Sequence, residues 1–323
     1  MKYVNTVLGQ LETNKMGVTL MHEHLLGSLG GISQSYPELL GNDFKERIIA
    51  GLMAAKHGGI DTIVDCTTMD LGRDIRILAE MSQRTGVNII ATTGWILTIP
   101  HVMGTFTADQ FAQIFTRDIE KGIEGTDIKA GILKSQAASD VVTPIGAILL
   151  RGVARAHLAT GIPIMLHSYS PGEVGRQQIA ILKEEGVNLQ RVKVDHSLDT
   201  TNLEYLTWLL DQGCYLGLDK LPGVYLIPRT GVSPESRIKT IKALIDAGFA
   251  KRLLLSHDAV LVSTFFDTLS DADKEKIARD NPYGFLYIDK VVMPRLRELG
   301  VHEEILESLL TDNPRRFFED NPN

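Results

Sequence analysis

The chain has 323 residues, of which 44% are hydrophobic and 23% charged, and its net charge is −7. A chain of this length and balance can bury a sizeable core without disulfides or a stapling metal, and it suits one large α/β barrel of roughly 250 residues plus insertions. The acidic charge excludes a general nucleic-acid surface, which needs clustered Lys and Arg, and no run approaches the ~20 apolar residues of a membrane span.

The opening stretch MKYVNTVLGQLETNKMG lacks the continuous apolar core of a signal peptide, so a cytoplasmic protein is expected. Short runs rich in Val, Ile, Leu and Thr then alternate with amphipathic segments. The spacing predicts a strand over Gly17–His24 and a helix over Phe44–His57, with Ile48, Leu52 and Ala55 on one face. Strands follow at Ile60–Cys66 and Asn88–Gly94. A helix including Asp118–Ile123, beginning near Thr107, leads to a strand at Lys129–Gln136. Next come helix Val142–Thr160, strand Ile162–Ser168, helix Gly175–Glu185 and strand Arg191–His196. Helix Asn202–Gln212, strand Cys214–Asp219, helix Pro234–Ala247 and strand Arg252–His257 complete the alternation. Gly161, Gly186 and Gly213 fit helix C-terminal caps. Thr268–Asn281, rich in Asp and Lys, reads as a rim loop with one helical turn, and Glu303–Phe318 as helices against the base. Cys66 and Cys214 lie in apolar runs with no CxxC spacing, so they read as small buried hydrophobes in a reducing compartment.

Continuous apolar strands imply a parallel sheet covered on both faces. Eight strand–helix units predict an α/β chain folded as a (β/α)8 TIM barrel, with an open doubly wound sheet as the alternative. No linker or composition shift divides the chain, so one domain over residues 1–323 is expected.

In such a barrel the chemistry lies at the C-terminal ends of the strands. Leu20-Met21-His22-Glu23-His24 puts His22 and His24 on one face of the first strand, toward the interior, and turns Glu23 to the helices. Two imidazoles at that spacing can chelate one divalent ion, although two polar barrel residues without metal would read the same. The fourth strand, Ala130-Gly131-Ile132-Leu133-Lys134, ends in a lysine that would be costly to bury unpaired. It can be a salt-bridge partner, a Schiff-base lysine, a general base, or a carbamylated lysine bridging two metals. The fifth and sixth strands end in His167 and His196, each a ligand or a hydrogen-bonded core histidine. The eighth ends in Ser256-His257-Asp258. Asp258 is a hard oxygen ligand or a proton acceptor, and His257, alternating with it, faces outward. Four His, one Lys and one Asp on one barrel face form a joint pattern that scattered accidents would not produce. They suffice for two metals, and a hydroxide shared between two metals is a nucleophile at neutral pH.

On these segments the chain resembles the phosphotriesterase family of the amidohydrolase superfamily, above all its phosphotriesterase-like lactonases. The likeness runs from Gly9-Gln10 to Asn313-Pro314-Arg315-Arg316-Phe317-Phe318. It passes through Thr19–Leu25, Leu71-Gly72-Arg73-Asp74, Ala130–Lys134, His167, Asp195-His196, Gly217-Leu218-Asp219 and Ser256-His257-Asp258. The resemblance implies that His22, His24 and Asp258 hold the more buried of two divalent metals and that His167 and His196 hold the more exposed one. It makes Lys134 an N6-carboxylysine, formed with CO2, that bridges both. It also implies a second bridge of hydroxide that attacks a C=O or P=O polarised by the exposed metal, with Asp258 taking the proton. Zinc is the metal expected foremost, with manganese, cobalt or iron also suited to such donors. Since family members commonly pair, a homodimer is implied.

The loops depart from the acyl-homoserine lactonases of that family. Thr93-Gly94-Trp95-Ile96-Leu97 lacks their tyrosine, and Asp219-Lys220-Leu221-Pro222-Gly223 stands where they tend to show Asp-Arg-Tyr-Gly. Lys220, Tyr225 and Arg229 after the seventh strand, and Arg279, Asn281 and Tyr283 after the eighth, are candidate grips for an anionic tail, or else solvated loop residues. Val260–Phe266 could line an apolar groove or simply pack. The reading is a lactonase for a small polar substrate such as a phosphorylated sugar lactone. The alternatives are an acyl-homoserine lactonase, a phosphotriesterase or phosphodiesterase, and, in another class, a non-catalytic metal-binding regulatory protein, which would not need six ligands.

Overall fold

The computed structural model describes residues 2–96, 99–136, 140–223, 231–264 and 269–319. The chain opens with an antiparallel hairpin of β1 (Tyr3–Thr6) and β2 (Gly9–Glu12). The remaining strands are β3 (Thr19–Gly27), β4 (Thr62–Asp65), β5 (Asn88–Gly94), β6 (Ile132–Gln136), β7 (Ile164–His167), β8 (Val192–Val194), β9 (Tyr215–Leu218), β10 (Leu253–Leu255) and β11 (Val260–Ser263). Among the described residues these nine form one sheet in the order β10-β9-β8-β7-β6-β5-β4-β3-β11, and every neighbouring pair is parallel. The two ends of this order are consecutive in the chain. Residues 256–259 join them and bond to β3, with Asp258 N donating to His22 O and His24 N to Ala259 O, both at 2.9 Å. The sheet therefore curls until its ends meet.

Period-2 alternation along the strands separates two apolar sets. Met21, Val64, Cys66, Ile90, Ile132, Met165 and Leu254 join an inner cluster with Val4, Met16, Phe317 and Phe318. Their strand neighbours Leu20, Ile63, Ile89, Leu133, Ile164 and Leu255 join the outer cluster, with Ile48 and Leu52 from the helix layer. Both faces are dry, which is why the strands read as unbroken apolar runs. Each such side chain contributes about 1.5–3 kcal/mol by leaving water.

The helices are α1 (Ile32–Ser35), α2 (Phe44–His57), α3 (Ile75–Thr85), α4 (Ala108–Glu120), α5 (Pro144–Thr160), α6 (Gly175–Glu184), α7 (Leu203–Asp211), α8 (Pro234–Leu244), α9 (Asp271–Asp280), α10 (Met293–Glu298), α11 (Glu303–Leu310) and α12 (Asp312–Glu319). Thr107 caps α4 in a reciprocal box with Gln110, and Thr143 caps α5. Two departures from expectation stand out. The helix α3 was not anticipated. Its Asp74 accepts from Arg76 N and Ile77 N, and Gly86 ends it at φ 69. The stretch expected to hold one helical turn instead forms the ten-residue α9, capped by Ser270. None of its residues is buried, so it offered no apolar stripe to read.

The terminal α11 and α12 pack at the end of the sheet opposite the strand C-termini, as expected. Phe317 and Phe318 close the inner cluster there, and Asn313 Nδ2 donates to Ala250 O and Leu253 O at 2.7 Å each. Cys66 and Cys214 are free and buried. No helix among the described residues is long and apolar enough to cross a membrane.

Candidate metal centre

The residues expected at the strand ends do converge. His22, His24, Lys134 and His196 are buried, while His167 and Asp258 keep some exposure. His22 Nε2 lies 2.9 Å from Lys134 Nζ and 3.4 Å from Asp258 Oδ1. His24 Nε2 lies 3.3 Å from the same oxygen. His196 Nε2 faces His167 Nδ1 at 2.7 Å, and His196 Nδ1 is 3.8 Å from Asp258 Oδ2. One donor atom each from His22, His196 and Asp258 lies within 4.8 Å of the others.

The backbone spends conformational energy to aim these groups. His196, Lys220 and Asp258 all take left-handed φ, at 58°, 59° and 55°, a region non-glycine residues seldom enter and one that recurs at functional sites. Glu23 holds the Asp258 turn in place. Its Oε1 accepts from Ser256 Oγ at 2.7 Å, from His257 N at 2.9 Å and sits 2.6 Å from His257 Nδ1, while Oε2 accepts from Ala259 N at 3.0 Å. Glu23 and His257 thus face away from the interior, as alternation requires, and meet behind the strand. Gly94 leaves room for the Lys134 backbone. At φ 134 a Cβ there would collide with the Lys134 carbonyl.

Burial works against charge on His24 and His167, lowering the pKa of His24 and, more strongly, that of His167. Both are therefore neutral at physiological pH, the state a ligand needs. His22 is raised instead: burial opposes this, but the carboxylates Asp195 and Asp258 beside it favour the charged ring. Asp258 is held well below the usual carboxylate range: burial opposes this, but His22, His24 and His196 prevail.

The donor set fits a metal pair. Imidazole and carboxylate donors suit zinc and its first-row neighbours. His22 Nδ1 is a buried polar atom that makes no aligned hydrogen bond, with carboxylate oxygens of Asp195 and Asp219 at 3.1 and 3.3 Å on that outer edge. Lys134 Nζ, wholly buried and also 3.5 Å from Cys66 O, stands among the histidines. A cation there would face them at close range, whereas an anionic modification would join them.

Several neighbours of these side chains were given no role by sequence. Asp219 accepts from His196 N at 3.0 Å and lies 2.7 Å from its Nδ1. Asp195 reaches His22 Nδ1 at 3.1 Å, and Thr67 Oγ1 reaches His24 Nδ1 at 2.9 Å. Asp219 did carry a signal, since it closes an apolar strand just as Lys134 does. The substrate-contact expectations fare differently. Lys220 is nearly buried, with Nζ donating to Asp199 Oδ2 at 2.8 Å; Arg237 Nη2 bonds the other Asp199 oxygen at 3.1 Å. Lys220 stands close enough to His167 to depress its pKa. Tyr225 and Arg229 lie outside the described residues, as do Phe265 and Phe266. Tyr283 is 49% exposed on a segment that packs on the helix layer: Leu286 lies against Gly58 at the end of α2, and Phe285 stacks on the outward-facing His257.

A family model described as the phosphotriesterase family matches residues 2–318. The chain is 39% identical to the phosphotriesterase homology protein of Mycobacterium tuberculosis, over 99% of this chain and 98% of that one. It is 32% identical to the aryldialkylphosphatase of Saccharolobus solfataricus, over 95% and 96%. It is 25% identical to the N-acetyltaurine hydrolase of Danio rerio, over 97% of each. The chain belongs to the phosphotriesterase family.

Proposed function

We propose that this chain is a single-domain (β/α)8 hydrolase with two divalent metal ions, zinc foremost, held by His22, His24, His167, His196, Asp258 and a carbamylated Lys134. The observation that carries this reading is the convergence of those six side chains at one end of a curled parallel sheet. The meeting of β10 and β11 through residues 256–259 supports closure of the barrel. When bound, the metals supply Lewis acidity and lower the pKa of water. The chain's own residues do the rest. Glu23 and Asp219 orient Asp258 and His196. Asp258, kept ionised by three imidazoles and with a side chain 15% exposed, is placed to accept a proton and return it to solvent. Lys220, nearly buried and locked to Asp199, keeps a fixed positive charge near His167.

For substrate we propose a lactone, small and polar and carrying an anionic tail such as a phosphate. The lactonase-like strand motifs support the ring-opening, and the cation beside His167 supports the anionic tail. A second reading is hydrolysis of an amide with an anionic tail, favoured by the same cation and by a relative named N-acetyltaurine hydrolase. Metal-reconstituted protein tested on phosphorylated and neutral sugar lactones, acyl-homoserine lactones, a phosphotriester and N-acetyltaurine separates these. Turnover highest on an anionic lactone is the expected result. No turnover of any lactone, with turnover of the amide or the phosphotriester, contradicts it.

A further inference from the structure

Lys193 on β8 is wholly buried, and nothing in the catalytic reading uses it. Its neighbours Val192 and Val194 join the outer cluster, so alternation turns Lys193 to the interior. There Nζ donates to Met21 O at 2.7 Å and stands 2.7 Å from Asp195 Oδ1. Asp195, also wholly buried, brings its other oxygen to 3.1 Å from His22 Nδ1, and Asp219 Oδ2 lies 3.3 Å from the same nitrogen. The sheet is shaped around this arrangement. A Cβ on Gly217 of β9 would collide with the Asp195 carboxylate and stand 3.0 Å from its Cα.

A buried ion pair is a poor source of stability compared with apolar side chains of the same volume, so its placement asks for another reason. His22, Asp195 and Asp219 have donor atoms close enough to hold an ion of their own. That position already has a cation, the Lys193 ammonium, and no further one is called for. Apart from the ion pair to Lys193, neither His22 Nδ1 nor the two Asp195 oxygens beside it have another hydrogen-bond partner, so the ring and the carboxylate face each other. A metal-binding imidazole characteristically donates its second N–H to a carboxylate, which sets its tautomer and orientation.

We propose that Lys193 and Asp195 are positioning residues for the metal centre: Lys193 pins the Asp195 carboxylate at the Nδ1 edge of His22, so that this edge keeps its proton and Nε2 is left free toward Lys134 and Asp258. The proposal rests on the two-metal reading. Lys193 also offsets one of the two carboxylates crowded at His22, and it holds Asp195 back from acting as a competing ligand.

The test is zinc binding by the full chain, reconstituted with zinc and bicarbonate and titrated against a chelator. It compares the wild type with Lys193→Met and with Lys193→Met/Asp195→Asn, which removes both charges together and so does not strand a buried anion. In the folded variant, one of the two binding steps weakens about 10–100-fold while the other stays within about threefold. A purely structural pair would lower the unfolding temperature and leave both steps unchanged, which overturns the proposal. A wild type that takes up no zinc sinks the two-metal reading instead. Independently of how the variants fold, 15N NMR of the zinc-loaded wild type must show His22 protonated at Nδ1 and metal-bound at Nε2. A proton on Nε2 overturns the proposal.

Discussion

Asp219 holds His196 at two points, one oxygen accepting the backbone N–H at 3.0 Å and the other lying 2.7 Å from Nδ1. That double grip keeps an imidazole on a left-handed backbone, with Nε2 2.7 Å from His167 Nδ1. Asp219→Asn preserves an acceptor for the backbone but loses the charge on the ring. Zinc affinity is expected to fall about 10–100-fold while circular dichroism stays that of the wild type. Chelator competition measures it, and an unchanged affinity would contradict the role.

Gly94 tests how tightly the Lys134 backbone is set. An added Cβ would meet the Lys134 carbonyl oxygen and carbon, the carbon at 2.7 Å, and would sit on a residue with φ 134. Gly94→Ala is expected to cost about 3 kcal/mol or more, combining backbone strain with a forced shift of packed backbone. Gly86→Ala, at φ 69 with nothing within 4 Å, carries the left-handed penalty alone, about 1 kcal/mol. Urea unfolding of both variants checks the ordering, and equal losses would show that the close approach does not matter.

The clamp between α5 and α6 gives a pH signature. Glu185 accepts from Arg151 at 2.8 Å and from Arg155 at 3.0 Å and 3.3 Å. Arg155 first, against an opposing burial, and then Arg151 hold its carboxyl below the usual range. A depressed carboxylate contributes stability that is present above its unfolded pKa of about 4.3 and is lost as pH falls through the lower folded value. Glu185→Gln should therefore lose about 1 kcal/mol at neutral pH, and the gap to wild type should close on acidification below that range. A gap independent of pH would exclude the ion-pair explanation.

Thiol chemistry checks the core. Burial pushes the Cys214 thiol up to about 12, and Cys66 is equally inaccessible in the inner cluster. Neither should react with a disulfide reagent at about pH 8 in the folded protein, although free thiols titrate near 8.5. Both should react after denaturation. Rapid labelling of native protein would show that the interior is open.

Much of this was legible in the chain itself, for a physical reason. Strands dry on both faces must be apolar throughout, so a polar residue closing such a run, as at Lys134, His167 or His196, announces itself. The helix α3 was equally readable in principle, since Asp74 and Gly86 bracket Ile75, Leu78 and Met81, which are buried along one face. The hairpin of β1 and β2 was not, because four-residue strands with only two of their eight residues fully buried carry little pattern. The partners at the Nδ1 edges were hidden for a different reason. Asp195 and Asp219 reach His22 and His196 across strands, and Lys193 reaches Met21 from β8. Such contacts exist only once the sheet has curled.

The central claim is the metal pair, and metal content tests it most directly. After reconstitution with zinc and bicarbonate and removal of free metal, the wild type should retain about two zinc ions per chain, and Lys134→Ala, folded but without the bridging side chain, should retain fewer. A wild-type content near zero, or a Lys134→Ala content equal to the wild type, would contradict the account.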